Sequence, residues 1–239
     1  MNLGLLKSRI IYDYKPFIGL RMKKFYTEFI QPGDLCFDIG AHTGNRTRVW
    51  QKMGARVIAV EPQPVLYEFL RKRFDRNPSV ELLQIAVGKH LSSAVLNISS
   101  RHPTLSTLSD NWMEIISRFQ TGVKFDRKIT VQVLTLDNLI EKYGVPAFCK
   151  IDVEGFEEEV LLGLTTPLPA LSIEFFPTTM SQATRCLNLI KKMGKYRYNW
   201  SFRETFVYNN PKWVDEREME EIISGYQGFK SGDIYAKII

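Results

Sequence analysis

Leu35-Cys36-Phe37-Asp38-Ile39-Gly40-Ala41-His42-Thr43-Gly44 is the stretch whose reading decides the fold. Its first five residues form a short, nearly unbroken apolar run, the composition of a parallel strand buried on both faces. Gly40 and Gly44 then bracket a tight loop, where a residue without Cβ lets the backbone turn sharply and approach a ligand closely. A helix is predicted over 46–53, stopped by Gly54. Strand, loop and helix in this order place Asp38 and the free N–H groups of the helix start at one sheet edge.

The same rhythm continues outward. Residues 56–60 read as a second strand, ended by Glu61-Pro62, and Pro64 opens a helix to about residue 76. Residues 80–87 read as a third strand. This alternation predicts an α/β fold: a Rossmann-like, mostly parallel sheet with helices on both faces. Residues 89–136 break the rhythm with two strand-like runs and a short helix over 112–119, and are expected to be an insertion over the sheet edge. A buried strand at 148–152, a helix at 157–164, a strand at 171–176 and a helix at 181–193 follow. Residues 196–202 and 233–238 are expected to form an antiparallel C-terminal pair. Residues 1–30 read as a leader with one amphipathic helix, so the domain is expected to span 31–239.

At 239 residues, 44% hydrophobic and 24% charged, the chain has the composition of a single globular domain. Its net charge of +6 is dispersed, with no tract of the kind that binds nucleic acid. Cys36, Cys149 and Cys186 are too few and too scattered for a disulfide framework, which points to reduced core thiols and a cytoplasmic setting. Neither a signal peptide nor a membrane span is expected.

The loop chemistry narrows the ligand. A dinucleotide fingerprint needs three glycines and a pyrophosphate at the helix start, and a P-loop needs a lysine after its last glycine. Here the third glycine is missing, no such lysine follows Gly44, and Asp38 would repel phosphate. A phosphate-free ligand with an ammonium group fits better, and S-adenosylmethionine is one. Glu61, at the end of strand two, stands where an acid reaches ribose hydroxyls. Asp152 ends the strand at 148–152 and Glu154 follows it, with Glu174 near the end of the next strand. Asp152 and Glu174 are candidate Mg²⁺ ligands, and Asp152, Glu154 and His42 are candidate catalytic groups. Blander roles remain open: Glu154 as a helix cap, Glu174 paired with Lys150, His42 as a hydrogen-bonding bystander.

Phe37-Asp38-Ile39-Gly40-Ala41-His42-Thr43-Gly44-Asn45, Val60-Glu61-Pro62, Ala86-Val87-Gly88, Thr135-Leu136-Asp137-Asn138-Leu139 and Lys150-Ile151-Asp152-Val153-Glu154-Gly155-Phe156-Glu157, followed by Ser172-Ile173-Glu174, together resemble the FkbM methyltransferase family. The likeness runs over about residues 33–176. It implies a class I methyltransferase fold and transfer from S-adenosylmethionine to a hydroxyl oxygen of a sugar or natural-product acceptor. It also implies a donor site made by Asp38, Gly40, Ala41, His42, Thr43 and Gly44 at the aminobutyrate end. Glu61 and Pro62 would lie at the ribose, Ala86 and Val87 at adenine, and Asp152 beside the methyl. Ser106-Thr107-Leu108 resembles a short family element facing the site. A nicotinamide oxidoreductase, an RNA methyltransferase and a catalytically silent binding domain stay open as alternatives.

Overall fold

A computed structural model describes residues 18–239. The part of the expected leader over residues 1–17 lies outside the described residues, and its remainder begins with α1 (Ile18–Tyr26). The predicted first strand, helix and second strand are β1 (Leu35–Ile39), α2 (Asn45–Lys52) and β2 (Arg56–Val60). Then come α3 (Pro64–Arg73), β3 (Val80–Leu83), β4 (Ala86–Val87), β5 (Ser92–Ile98), α4 (Asp110–Phe119) and β6 (Arg127–Leu134). The C-terminal half holds α5 (Leu136–Tyr143), β7 (Phe148–Ile151), α6 (Glu157–Leu162), β8 (Ala170–Phe175) and α7 (Met180–Met193). It ends with β9 (Tyr196–Phe202), α8 (Glu216–Ser224) and β10 (Gly232–Ile238).

Seven strands form one sheet in the order β3-β2-β1-β7-β8-β10-β9. The first five are parallel, and β10 runs antiparallel to both β8 and β9. The order in which the chain visits the strands reverses between the parallel neighbours β1 and β7, which opens a crevice at their C-terminal ends where ligands bind in such sheets. Side chains alternate across β1: Cys36 joins the core under α1, α2 and α3, while Phe37 and Ile39 join the core under α5, α6 and α7. Both faces are thus covered, as the apolar runs predict.

The expected third strand is corrected. It divides into β3, at the edge of the large sheet, and β4, which pairs parallel with β6 in a small sheet ordered β4-β6-β5. The cause lies in β2. Val60↔Leu83 is the last register pair and Glu61 N donates to the Leu83 carbonyl; the next donor on that edge, Gln63 N, turns back to Glu61 Oε1 at 2.9 Å and does not continue the ladder. Two helices not expected from periodicity, α5 and α8, are set by capping boxes, Thr135 with Asn138 and Asp215 with Glu218. The three cysteines are buried free thiols. Among the described residues no helix is long and apolar enough to cross a membrane.

Candidate active site

A cavity of about 840 Å³ opens over the C-terminal ends of β1, β2 and β7. Asp38, Gly40, Ala41, His42 and Thr43 contribute from the first loop, and Glu61 and Pro62 from the end of β2. Ala86 and Val87 of β4 line the next wall. Asp152, Glu154 and Glu174 project from the β7 and β8 tips. The helix α4 and the preceding loop roof the cavity, with Ser106-Thr107-Leu108 and also His102. Gly44 is the exception among the expected donor-site residues. It sits behind the loop as the left-handed N-cap of α2, where a Cβ would meet Leu70 and Phe74.

The first loop is braced by its own acids. Asp38 is buried, and its Oδ2 accepts from Thr47 N at 3.1 Å and Thr47 Oγ1 at 2.5 Å, so it caps the start of α2. Burial pushes its carboxyl up, opposed by those Thr47 hydrogen bonds and by the Arg46 charge. Glu61 accepts from His42 N and Gln63 N, each at 2.9 Å. Gly40, at φ +82°, lies so close to β7 that a Cβ would enter the Asp152 carbonyl. His42 also has a positive φ, 51°, and burial brings its imidazole down to about 4, so the ring is neutral at physiological pH.

Burial takes Glu61 from an ordinary 4.5 up to about 7. The folded state therefore binds this proton more tightly than the unfolded chain does. Stability from it is full below the ordinary value and is lost as pH rises through about 7. Glu61→Gln removes the titration. Wild type should lose up to about 3 kcal/mol relative to the variant between pH 5 and pH 8. Denaturant unfolding of both proteins across that range checks it, and parallel pH dependences would refute it.

At the β7 tip the ligand oxygens of Asp152, Glu154 and Glu174 lie within 4.8 Å of one another. Their environments drive them apart. Burial pushes Asp152 up, but the Lys150 ammonium, a hydrogen bond with Glu174 and the Arg46 guanidinium outweigh it and hold Asp152 down at about 2. Burial and the Asp152 charge push Glu154 and Glu174 well above the usual carboxylate range. The three carboxyls thus divide into one firm anion and two groups that retain protons or call for a cation.

Glu154 is not the helix cap. The helix α6 has no side-chain cap; its first residue, Glu157, folds back onto the preceding loop, with Oε1 accepting from Val153 N at 3.1 Å and Gly155 N at 3.2 Å. Glu154 is held instead at φ 53°, and its carbonyl accepts from Thr107 Oγ1 at 2.7 Å. The next residue, Gly155, lies under Trp112 of α4, leaving no room for a Cβ. Lys150 does not pair directly with Glu174: its Nζ lies 2.6 Å from Asp233 Oδ1 and 3.4 Å from Asp152 Oδ2. Sequence reading missed Asp233 and also Arg46, which stands 3.0 Å from Glu204 and 3.7 Å from Asp233.

A Gly-bracketed loop after β1, an acid ending β2 and an acidic β7 tip share one cavity. The model of the FkbM methyltransferase domain matches this chain over residues 38–199, which includes all three. The chain belongs to the FkbM methyltransferase family. Among similar proteins is the hexuronic acid methyltransferase AglP of Haloferax volcanii, 26% identical over 147 residues. That match covers 61% of this chain and 56% of AglP, so the chain spans little more than half the relative's length. Among solved structures is an O-methyltransferase from Bacillus cereus in complex with SAH, at TM-score 0.51 and 13% identity. It covers 98% of this chain and 89% of that one. The expected class I methyltransferase fold is borne out.

Proposed function

We propose that this FkbM-family chain methylates a hydroxyl oxygen of a sugar, within a glycan or a small glycosylated molecule. The observation that carries the reading is the firm anion Asp152 beside two raised carboxyls, directly across from the Gly40 loop. The name of the Haloferax relative supports a sugar-type acceptor.

The cavity suits a cationic, phosphate-free donor. Asp38 and Glu61 supply acceptor oxygens on the β1 and β2 side, and a neutral His42 adds no opposing charge. In this reading Gly40, Ala41, His42 and Thr43 hold the amino-acid end, Glu61 and Pro62 the ribose, and the apolar pair Ala86 and Val87 the adenine. The donor supplies an activated methyl, which the acceptor oxygen takes while sulfur keeps the bonding electron pair. Asp152 accepts a hydrogen bond from the acceptor hydroxyl, aiming a lone pair of that oxygen at the methyl. As the C–O bond forms, the hydroxyl proton becomes strongly acidic, so even a weak base such as Asp152 can take it and pass it to water. Alignment carries most of the effect, and in favourable cases it supplies about 7–11 kcal/mol.

A second reading has a specific observation behind it. Three carboxylate oxygens within 4.8 Å form a hard-donor set that fits Mg²⁺. Asp152 and Glu174, joined by Glu154, would hold the ion, which would lower the pKa of a bound hydroxyl. Three observations separate the readings. With Mg²⁺, chelation abolishes turnover, calorimetry detects the ion, and Glu174→Gln costs as much as Asp152→Asn. Without it, chelation has no effect.

Calorimetry with S-adenosylhomocysteine and NAD, followed by methyl transfer to methyl glucosiduronate and methyl glucoside, tests the function. Binding of the first ligand only and a mass gain on a glycoside are expected. Heat from NAD alone would overturn the proposal.

A further inference from the structure

Lys150 is fully buried, an unusual place for an ammonium unless its charge is balanced. Its Nζ bridges two carboxylates, Asp233 at 2.6 Å and Asp152 at 3.4 Å. Asp233 is itself buried, stands on β10 rather than on a parallel strand, and is further held by Arg46 at 3.7 Å and by the Tyr235 hydroxyl at 3.4 Å. Arg46 continues to Glu204 at 3.0 Å and Tyr26 Oη at 3.3 Å. Of the three groups joined by Lys150, Asp152 is the one that reaches out, its side chain 25% exposed where those of Lys150 and Asp233 are 0% and 4%; Arg46 and Glu204 line the same cavity farther along, 14% and 22% exposed. Asp233 and Glu204 lie outside the segment 38–199 that matches the family.

We propose that Lys150, anchored by Asp233, is the positioning residue that fixes the Asp152 carboxylate toward the acceptor. The inference rests on the methyl-transfer reading above. A carboxylate on a strand tip has free side-chain torsions, and the ammonium behind it removes that freedom before the acceptor arrives. Asp233 does the same for Lys150, so the antiparallel end of the sheet sets the geometry of the parallel end.

The test is a double-mutant cycle on the full chain with methyl glucosiduronate and methyl glucoside as acceptor probes. Asp233→Asn keeps the shape and removes the charge. It should lower kcat by about 10- to 100-fold, as a misplacement of about 1 Å does, with S-adenosylhomocysteine affinity and acceptor KM held within about twofold. Adding Asp233→Asn to Asp152→Asn should cost nothing further, because the first acts only through the second. Lys150→Met should behave as Asp233→Asn does, and Lys150→Arg should restore part of kcat. Independent, multiplying losses would mark Asp233 as merely structural and overturn the proposal, as would an unchanged kcat. An Asp152→Asn enzyme with full turnover would sink the role of Asp152 instead. Crystal structures of wild type and Asp233→Asn with S-adenosylhomocysteine give an answer that needs no acceptor. The Asp152 carboxylate should turn away from the sulfur in the variant, and an unmoved carboxylate rejects the proposal. Should Asp233→Asn fail to fold, Asp233→Glu retains the charge, displaces Lys150 and carries the same expectations.

Discussion

Gly40→Ala should abolish measurable donor binding and lower stability by about 2–5 kcal/mol. Two costs add. A residue with Cβ at φ +82° costs about 1–2 kcal/mol, and the side chain must also force apart β1 and β7, an overpacking cost of about 1–3 kcal/mol. The colliding atom is the Asp152 backbone carbonyl, which cannot swing aside as a side-chain tip would. Displacing it moves the residue that faces the acceptor, so binding and catalysis fall together. Gly33→Ala is the control: its φ is +94°, but nothing lies within 4 Å of the added carbon. That variant should lose only the conformational share, about 1–2 kcal/mol, and bind S-adenosylhomocysteine as wild type does. Equal behaviour of the two variants in denaturant unfolding and calorimetry would show that contact with β7 is not what demands glycine.

Asp152→Asn should reduce kcat by about 10²–10⁴-fold, the usual span for removing a positioned base. Folding should change little, because Lys150 keeps Asp233 at 2.6 Å as its main counter-charge. S-adenosylhomocysteine affinity should stay within about threefold, since the substitution withdraws a group aligned for the reacting acceptor rather than a donor anchor. The wild-type pH profile carries a linked expectation. Asp152, held down at about 2, is ionised throughout the range where the protein is folded, so no limb between pH 4 and pH 8 belongs to it. A rise of rate through that interval reports Glu61, brought up to about 7, or the raised Glu154 or Glu174 instead. Rate measurements on wild type, Asp152→Asn, Glu61→Gln, Glu154→Gln and Glu174→Gln distinguish these origins.

Much of this was readable in the residues because the strands of a doubly covered parallel sheet are continuous apolar runs, as at Leu35–Ile39 and Phe148–Ile151. Strand order places their C-terminal ends side by side, so acids at those ends meet without any further signal. The misreadings have physical causes as well. The break between β3 and β4 coincides with Gln63 N, past the end of the neighbouring strand, turning back to Glu61 Oε1, and a residue-by-residue reading does not see its partner's hydrogen bonds. The spacing of Glu154 and Glu157 cannot say which folds back onto the loop. The positive φ of Glu154 decides it, by carrying that side chain away from the helix start. Lys150 stands out in an apolar run, but its partner is 83 positions away on a strand beyond the likeness. Helix α5 has eight residues, too few for periodicity to be decisive, although its Thr135 and Asn138 caps were legible.

Strand β10 lies between β8 and β9 although it is synthesised after both. The ribosome must therefore deliver β9 before the strand it pairs with exists, and the edge of β8 stays open meanwhile. At about 5–20 residues per second, the chain from the end of β9 to the end of β10 takes roughly 2–7 s to appear. Throughout that interval Lys150 has no Asp233 beside it, and the nascent sheet exposes an unpaired edge of the kind that invites mispairing. Chaperone dependence during translation, and a sharp gain in protease resistance only once β10 has emerged, are the cellular signs of an interior strand made late.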